Sequence, residues 1–221
     1  MTKQERAIRT RSRLVNSAAD AFRRQGYERA SLASISSQVG VSSGALHFHF
    51  ENKAALASAV VLEATRTLCR SASHIQRTQS PALQALIDTT HALAELLREN
   101  VVVQAGYQLS TSGHGSGQPT LRAKWQSHVA RLIVEADREG MLRTGVPRED
   151  ITASIVASTV GFELLGRDNR AWLSRGSLTG FWEVQLTSLA SYDALDRLVP
   201  AGSESARIPP QTTLALAAAK S

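Results

Sequence analysis

Apolar residues recur along this chain at intervals of three and four, and no stretch sustains the apolar and polar alternation of a half-buried strand, so the pattern predicts an all-α protein. Between Ile8 and Arg24, the residues Leu14, Ala18, Ala21 and Phe22 share one helical face, Arg9, Arg13 and Arg23 lie elsewhere, and Gly26 supplies a stop. Ser31 is placed to cap a short second helix that buries Leu32, Ile35 and Val39 and ends at Gly40. Ser42 caps a third, running to about Phe48, and Asn52 opens a long fourth through Leu56, Val60, Ala64 and Leu68 toward Arg77. Further helices are predicted near residues 81–98, 100–110, 119–139, 148–166 and 177–197. The Gly/Ser-rich stretch 110–119 reads as a flexible connection, GMLRTGVPRED as a turn, and everything from Pro200 as a loosely held tail. The expected division is a head over residues 1–55, a helical body over 56–199 and a tail over 200–221.

Two short capped helices joined through QVGVS form a helix-turn-helix, the second of a size to enter a DNA major groove about 12 Å wide. On that reading the recognition helix spans about 42–48. Phe48 and Phe50 lock it from behind, and Ser42, Ser43, Gly44, Ala45 and His47 face the duplex. Small residues there let backbone approach phosphate closely.

Charge supports this assignment. Of the net +6, five units fall within residues 1–55, where nine lysines and arginines outnumber four acidic residues. A basic head on a nearly neutral body is the footprint of a polyanion-binding module. Arg9, Arg13, Ser31 and Lys53 join the expected DNA-contacting set.

Other chemistries find little footing. His47 and His49 are two apart and point to different helix faces, so no metal site is expected. Cys69 is the only cysteine, which excludes a disulfide framework and fits a reducing, cytoplasmic setting. No apolar run approaches the roughly 18 residues of a membrane span. There is no G-x-S-x-G elbow, no phosphate-binding glycine loop and no H-E-x-x-H, so neither an enzyme nor a cofactor is expected. Of the three tryptophans, Trp172 and Trp182 read as ordinary core. Trp125 follows the flexible connection and a proline, where an indole is suited to line the mouth of an apolar cavity. Leu86, Leu93, Val103, Leu121, Val129 and Val156 are apolar candidates for the same lining, each also readable as plain core.

The run GYERASLASISSQVGVSSGALHFHFENKAAL resembles the DNA-binding domain of TetR-type transcriptional repressors, with their G-V-[S/T]-x-G-x-[hydrophobic]-Y-x-[H/Y]-F-x-x-K-x-x-L pattern, and the match extends over about residues 8–68. The chain departs at His47, where most such proteins have tyrosine, and at Ser43, where lysine is common. The segments KQERAIRTRSRLVNSAADAFRRQGYERASL, GALHFHFENKAA, VVVQAGYQLS and RAKWQSHV further resemble the gamma-butyrolactone receptor branch of this family. In that branch a tryptophan at the place of Trp125 lies against the hormone, and two arginines often stand where this chain has Gln104 and Gln108. His47 is shared with branch members, called pseudo-receptors, that answer to an antibiotic or its intermediates.

The resemblance implies a homodimer on a pseudo-palindromic operator. A small apolar effector, either a butyrolactone or an antibiotic or its intermediate bound near Trp125 and Gln104, releases it, and it controls antibiotic biosynthesis genes. A regulator of efflux or general metabolism with an unrelated ligand is the competing reading, and a helical adaptor for a protein partner a more distant one.

Overall fold

The computed structural model describes residues 2–78, 80–111 and 120–204, and helices account for most of them. α1 (Lys3–Arg29), α2 (Leu32–Val39) and α3 (Ser43–His49) form the head. α4 (Lys53–Gln76), α5 (Ala82–Glu99), α6 (Val101–Thr111), α7 (Leu121–Arg138), α8 (Arg148–Leu165), α9 (Arg175–Leu189) and α10 (Tyr192–Leu195) follow, with a 3-10 turn at Arg170–Leu173.

α1 starts five residues before the apolar stripe because Thr2 and Glu5 form a reciprocal capping box, Glu5 N–H to Thr2 Oγ1 at 3.2 Å and Thr2 N–H to Glu5 Oε2 at 2.7 Å. The predicted stop at Gly26 is a kink instead. Gly26 takes φ +78°, and the helix resumes to Arg29 because Lys53 holds its last carbonyls, Nζ donating to Tyr27 O (2.9 Å), Glu28 O (3.0 Å) and Ala30 O (3.3 Å). α2, α3 and α4 begin where Ser31, Ser42 and Asn52 predict, each side chain accepting from a backbone N–H three residues on.

α4 runs unbroken out of the head into the body. It buries Leu56, Ala57, Val60 and Ala64 and packs against α1 and α6, and α6 lies against α1 as well. The approach to α6 is close: a Cβ on Gly106 would stand 2.4 Å from Ala64 Cβ. α5 is the central shaft of the body, buried on almost every side and contacted by α4, α6, α7, α8 and α9. Its buried hydroxyls, Thr89 and Thr90, are satisfied by carbonyls one turn back.

Two expectations fail at the C-terminal end. The single helix predicted over 177–197 begins at Arg175 and breaks at Ala190, which pairs antiparallel with Leu142: Arg143 N–H donates to Leu189 O at 2.9 Å and Ser191 N–H to Met141 O at 2.8 Å. The turn after α7 thus captures backbone that helical periodicity alone assigned to a helix. The stretch from Pro200 is not loose at its start, because Ser203 donates through N–H (2.7 Å) and Oγ (2.8 Å) to buried Asp88, and Val199 N–H donates to Gln84 Oε1 at 2.8 Å. The rest of that stretch, 205–221, and residues 112–119 of the expected flexible connection lie outside the described residues.

Candidate functional site

The head presents α3 on its surface. Ser42 Oγ accepts from Ala45 N–H at 3.1 Å, fixing the first turn, and Gly40, in the left-handed conformation at φ +71°, turns the chain from α2 into α3. Leu46 within α3 and Phe50 at its extended C-cap are 1% and 4% exposed and anchor the helix in the head's core. Arg11 stacks its guanidinium over the Phe50 ring at 5.0 Å and so ties α1 to the end of α3. Phe48 is a correction to the sequence reading: it sits two positions from each anchor, on the opposite face, and is 82% exposed. Leu46 performs the locking that Phe48 was expected to perform. Ser42, Ser43, Gly44 and His47 are exposed and Ala45 is half-buried, so they share the outward surface of α3 with Phe48. An exposed aromatic on a short recognition helix is a further candidate contact that reasoning from hydrophobicity alone placed inside.

The basic residues divide. Arg9 is exposed on α1 and Ser31 is exposed at the start of α2. Arg13 spends one N–H on Val39 O at 2.7 Å, clamping α1 to the turn, and is otherwise exposed. Lys53 leaves the expected DNA-contacting set, because its three ammonium donors are matched by three carbonyls and it lies 4.5 Å over the Tyr27 ring. Its work is to close the end of α1.

In the body a cavity of about 280 Å³ opens between α4, α5, α6 and α7. Of the expected lining residues, Trp125, Leu93 and Leu121 border it. Leu86, Val103 and Val129 are 0% exposed core away from it, half-buried Val156 packs against that core from α8, and Gln104 turns aside to donate to Arg98 O at 3.0 Å. The wall that sequence reasoning missed is largely α4, with Thr65, Leu68, Cys69 and Ala72 at helical spacing on one face, joined by Tyr107 and His128. That stripe is readable as a second, weakly apolar face of α4, distinct from the Leu56, Val60 and Ala64 core face.

Trp125 is 8% exposed and its Nε1–H donates to Thr159 Oγ1 at 2.7 Å, which in turn donates to Ile155 O at 2.9 Å, linking the cavity wall to α8. Nearby, Glu163 is held between Arg122 (2.8 Å) and Arg167 (2.8 Å from Nε). Burial, reinforced by the Glu163 carboxylate, pushes the Tyr107 phenol well above its usual range, so it stays a neutral hydroxyl. Burial, reinforced by Arg131, pushes His128 down to about 4. Trp182 is core as expected, but Trp172 is 43% exposed, its ring 6.2 Å from Phe162.

His128 makes folding sensitive to acid. An unfolded chain protonates this histidine below about 6.5 while the folded protein resists until about 4, so stability declines as pH falls through that window and is fully present above it. The expected loss is about 3 kcal/mol between pH 7 and pH 4, read as the difference between wild type and His128→Asn in urea unfolding at those two pH values. Equal pH dependence in the two proteins would refute it.

Head, cavity and the helix that runs from one to the other define a two-part helical protein, a basic helix-turn-helix head on a helical body that holds a cavity. The family of bacterial regulatory proteins called tetR matches residues 14–60. The A-factor receptor protein of Streptomyces griseus is 33% identical over 204 residues, spanning 91% of this chain and 71% of that protein. Among solved structures, a gamma-butyrolactone receptor described as ArpA-like superposes with a TM-score of 0.75 at 27% identity, covering 89% of this chain and 95% of the other. The TetR family protein CprB from Streptomyces coelicolor, in complex with its operator sequence, gives 0.73 at 28%, covering 87% and 94%. The chain belongs to the tetR family of transcriptional regulators, and proteins similar to it over most of its length include the A-factor receptor protein and gamma-butyrolactone receptors.

Proposed function

We propose that this protein is a cytoplasmic, ligand-responsive repressor that binds a pseudo-palindromic operator as a homodimer and is released by a small, largely apolar effector, a gamma-butyrolactone or an antibiotic or its intermediate, to control antibiotic biosynthesis genes. The observation that carries the reading is the continuity of α4: the helix that opens one residue past the head's Asn52 cap also walls the 280 Å³ cavity through Thr65, Leu68, Cys69 and Ala72. A ligand that fits one placement of α4 better than another shifts the population of head positions by its differential affinity. The A-factor receptor and gamma-butyrolactone receptor relatives support the effector class.

Dimerisation is supported by an apolar surface that the single chain leaves uncovered. Leu164 (53% exposed) and Leu165 (45%) on α8, Trp172 in the 3-10 turn and Val184 (67%) on α9 are large apolar side chains facing outward, and ring contacts of Phe162 with Trp172 and Phe181 connect the three elements. α8 buries only Ile151, Ile155, Thr159 and Glu163, a stripe at four-residue spacing, which leaves its other face for a second copy. A two-fold dimer places two copies of α3 in successive major grooves, with centres about 34 Å apart.

Selection of bound fragments from random duplex DNA by the purified protein tests this. The expected outcome is a two-fold symmetric consensus with half-sites about one helical turn apart, bound by a species sedimenting as two chains or a multiple of two, with affinity falling as salt rises. A strictly monomeric protein, or one without duplex preference at low salt, would falsify the reading.

A further inference from the structure

The cavity's polar groups specify what it accepts. On α7, His128 Nδ1 lies 3.4 Å from Arg131 Nη2, and a guanidinium only donates, so Nδ1 is the acceptor and the ring proton sits on Nε2. That Nε2–H is buried and finds no hydrogen-bond partner within the protein among the described residues. Across the cavity on α4, Ser71 Oγ is in the same condition, in a side chain only 8% exposed. Two unsatisfied donors on side chains that border one chamber are unusual, since buried polar groups are almost always paired. Apart from them and the hydroxyls of Thr65, Thr89 and Tyr107, Leu68, Leu93, Leu96, Leu121 and Trp125 make the walls apolar, and among the described residues the only formally charged one bordering the chamber is exposed Lys124.

His128 also stands at a boundary. A second chamber of about 70 Å³ shares Ala72, Thr89 and His128 with the first and is lined further on by Gln76, Ser80, Arg131 and Glu135. The His128 ring is therefore a partition between an apolar room and a polar one.

We propose that His128 is the specificity-determining donor of this cavity, its Nε2–H reading an acceptor oxygen, with Ser71 assisting, on an uncharged effector whose apolar body lies against Trp125. The assignment rests on the effector reading above and narrows it to neutral molecules carrying a carbonyl or similar oxygen, excluding carboxylates. A carboxylate would surrender its hydration to walls whose buried donors are neutral, with the one bordering cation, Lys124, out in solvent. His128 remains neutral under ordinary conditions because its burial disfavours the charged ring.

Calorimetric titration of the full-length protein, without DNA, tests the assignment with three probes: γ-decalactone, 2-hexyltetrahydrofuran, which lacks the carbonyl, and 4-hydroxydecanoate, the ring-opened carboxylate. Wild type is expected to prefer the lactone about tenfold over each of the others, as one hydrogen bond to a neutral acceptor allows. His128→Phe should erase that preference while keeping the binding of 2-hexyltetrahydrofuran, and His128→Gln, which restores an N–H, should recover most of it. In wild type with ¹⁵N-labelled histidine, the His128 Nε2 resonance should shift on adding γ-decalactone and not on adding 4-hydroxydecanoate. Retention of the lactone preference by His128→Phe, equal binding of the carboxylate, or no binding of any probe each overturns the assignment. Operator release, measured separately, distinguishes the two readings. A protein that takes the lactone through His128 yet never leaves DNA defeats the effector reading alone. Release by γ-decalactone that His128→Phe leaves intact defeats only the assignment made here.

Discussion

Gly44→Leu is expected to give a protein that folds as well as its parent and no longer holds operator DNA. Inside the chain a Cβ at this position would come no closer than 4.0 Å to any atom, the nearest being Ser42 Oγ, so nothing in the head resists a side chain there. Leucine is also favoured over glycine in a helix interior by up to about 1 kcal/mol. The cost arises only against DNA. Gly44 is exposed in the first turn of α3, between Ser43 and Ala45, where the proposed docking brings backbone against the duplex, and a leucine there would hold the helix off the groove. Loss of one or two contacts worth about 1–3 kcal/mol in each half-site predicts binding weakened about 100- to 1,000-fold. Fluorescence anisotropy on the selected operator, with thermal melting as the companion measurement, checks both halves of the statement. Unchanged DNA affinity would move the reading surface off α3, and a lower melting temperature would show that the glycine serves the fold.

Gly106→Val should have the opposite character, damaging the fold first and DNA binding through it. A Cβ on Gly106 meets Ala64 Cβ at 2.4 Å, with Leu121 Cδ1 at 3.5 Å behind it, and neither α4 nor α6 can yield without disturbing the head, because α6 also packs on α1. Overpacking of this kind typically costs about 1–3 kcal/mol, and for a chain of this size that lowers the melting temperature by about 2–12 °C. Ala64→Gly removes the atom in the way, so the double variant should be more stable than the sum of the two single changes allows. Strict additivity would mean that the two helices part freely and that α4 is not held by this contact. Because α4 carries the head, the single Gly106→Val variant should also bind operator more weakly at temperatures where it remains folded.

The contrast between these glycines shows how far the sequence could be read. Gly44 belongs to a motif whose parts are near neighbours. Ser42 caps Ala45, Gly40 turns the chain, and Leu46 and Phe50 repeat at four residues, all within reach of local spacing rules. The helix starts at Ser31, Ser42 and Asn52 were legible for the same reason, since a cap is a bond between residues three apart. Thr2 and Glu5 carried an equally local signal that the apolar stripe overshadowed. Phe48 was misplaced because hydrophobicity alone says that a ring prefers burial, whereas in a seven-residue helix already anchored by Leu46 and Phe50 no core is left for it.

Charge and periodicity along the chain thus determined the helical class, the capped reading helix and the basic head, because each is set by residues within a few positions of one another. Tertiary structure alone decided that Lys53 closes α1 over carbonyls 23 to 26 residues away, that Gly106 admits α4, and that Thr65, Tyr107, Trp125 and His128 border one chamber. Those facts depend on which helix faces converge after the chain has packed, and a face becomes a cavity wall only when its neighbours fail to fill the space against it.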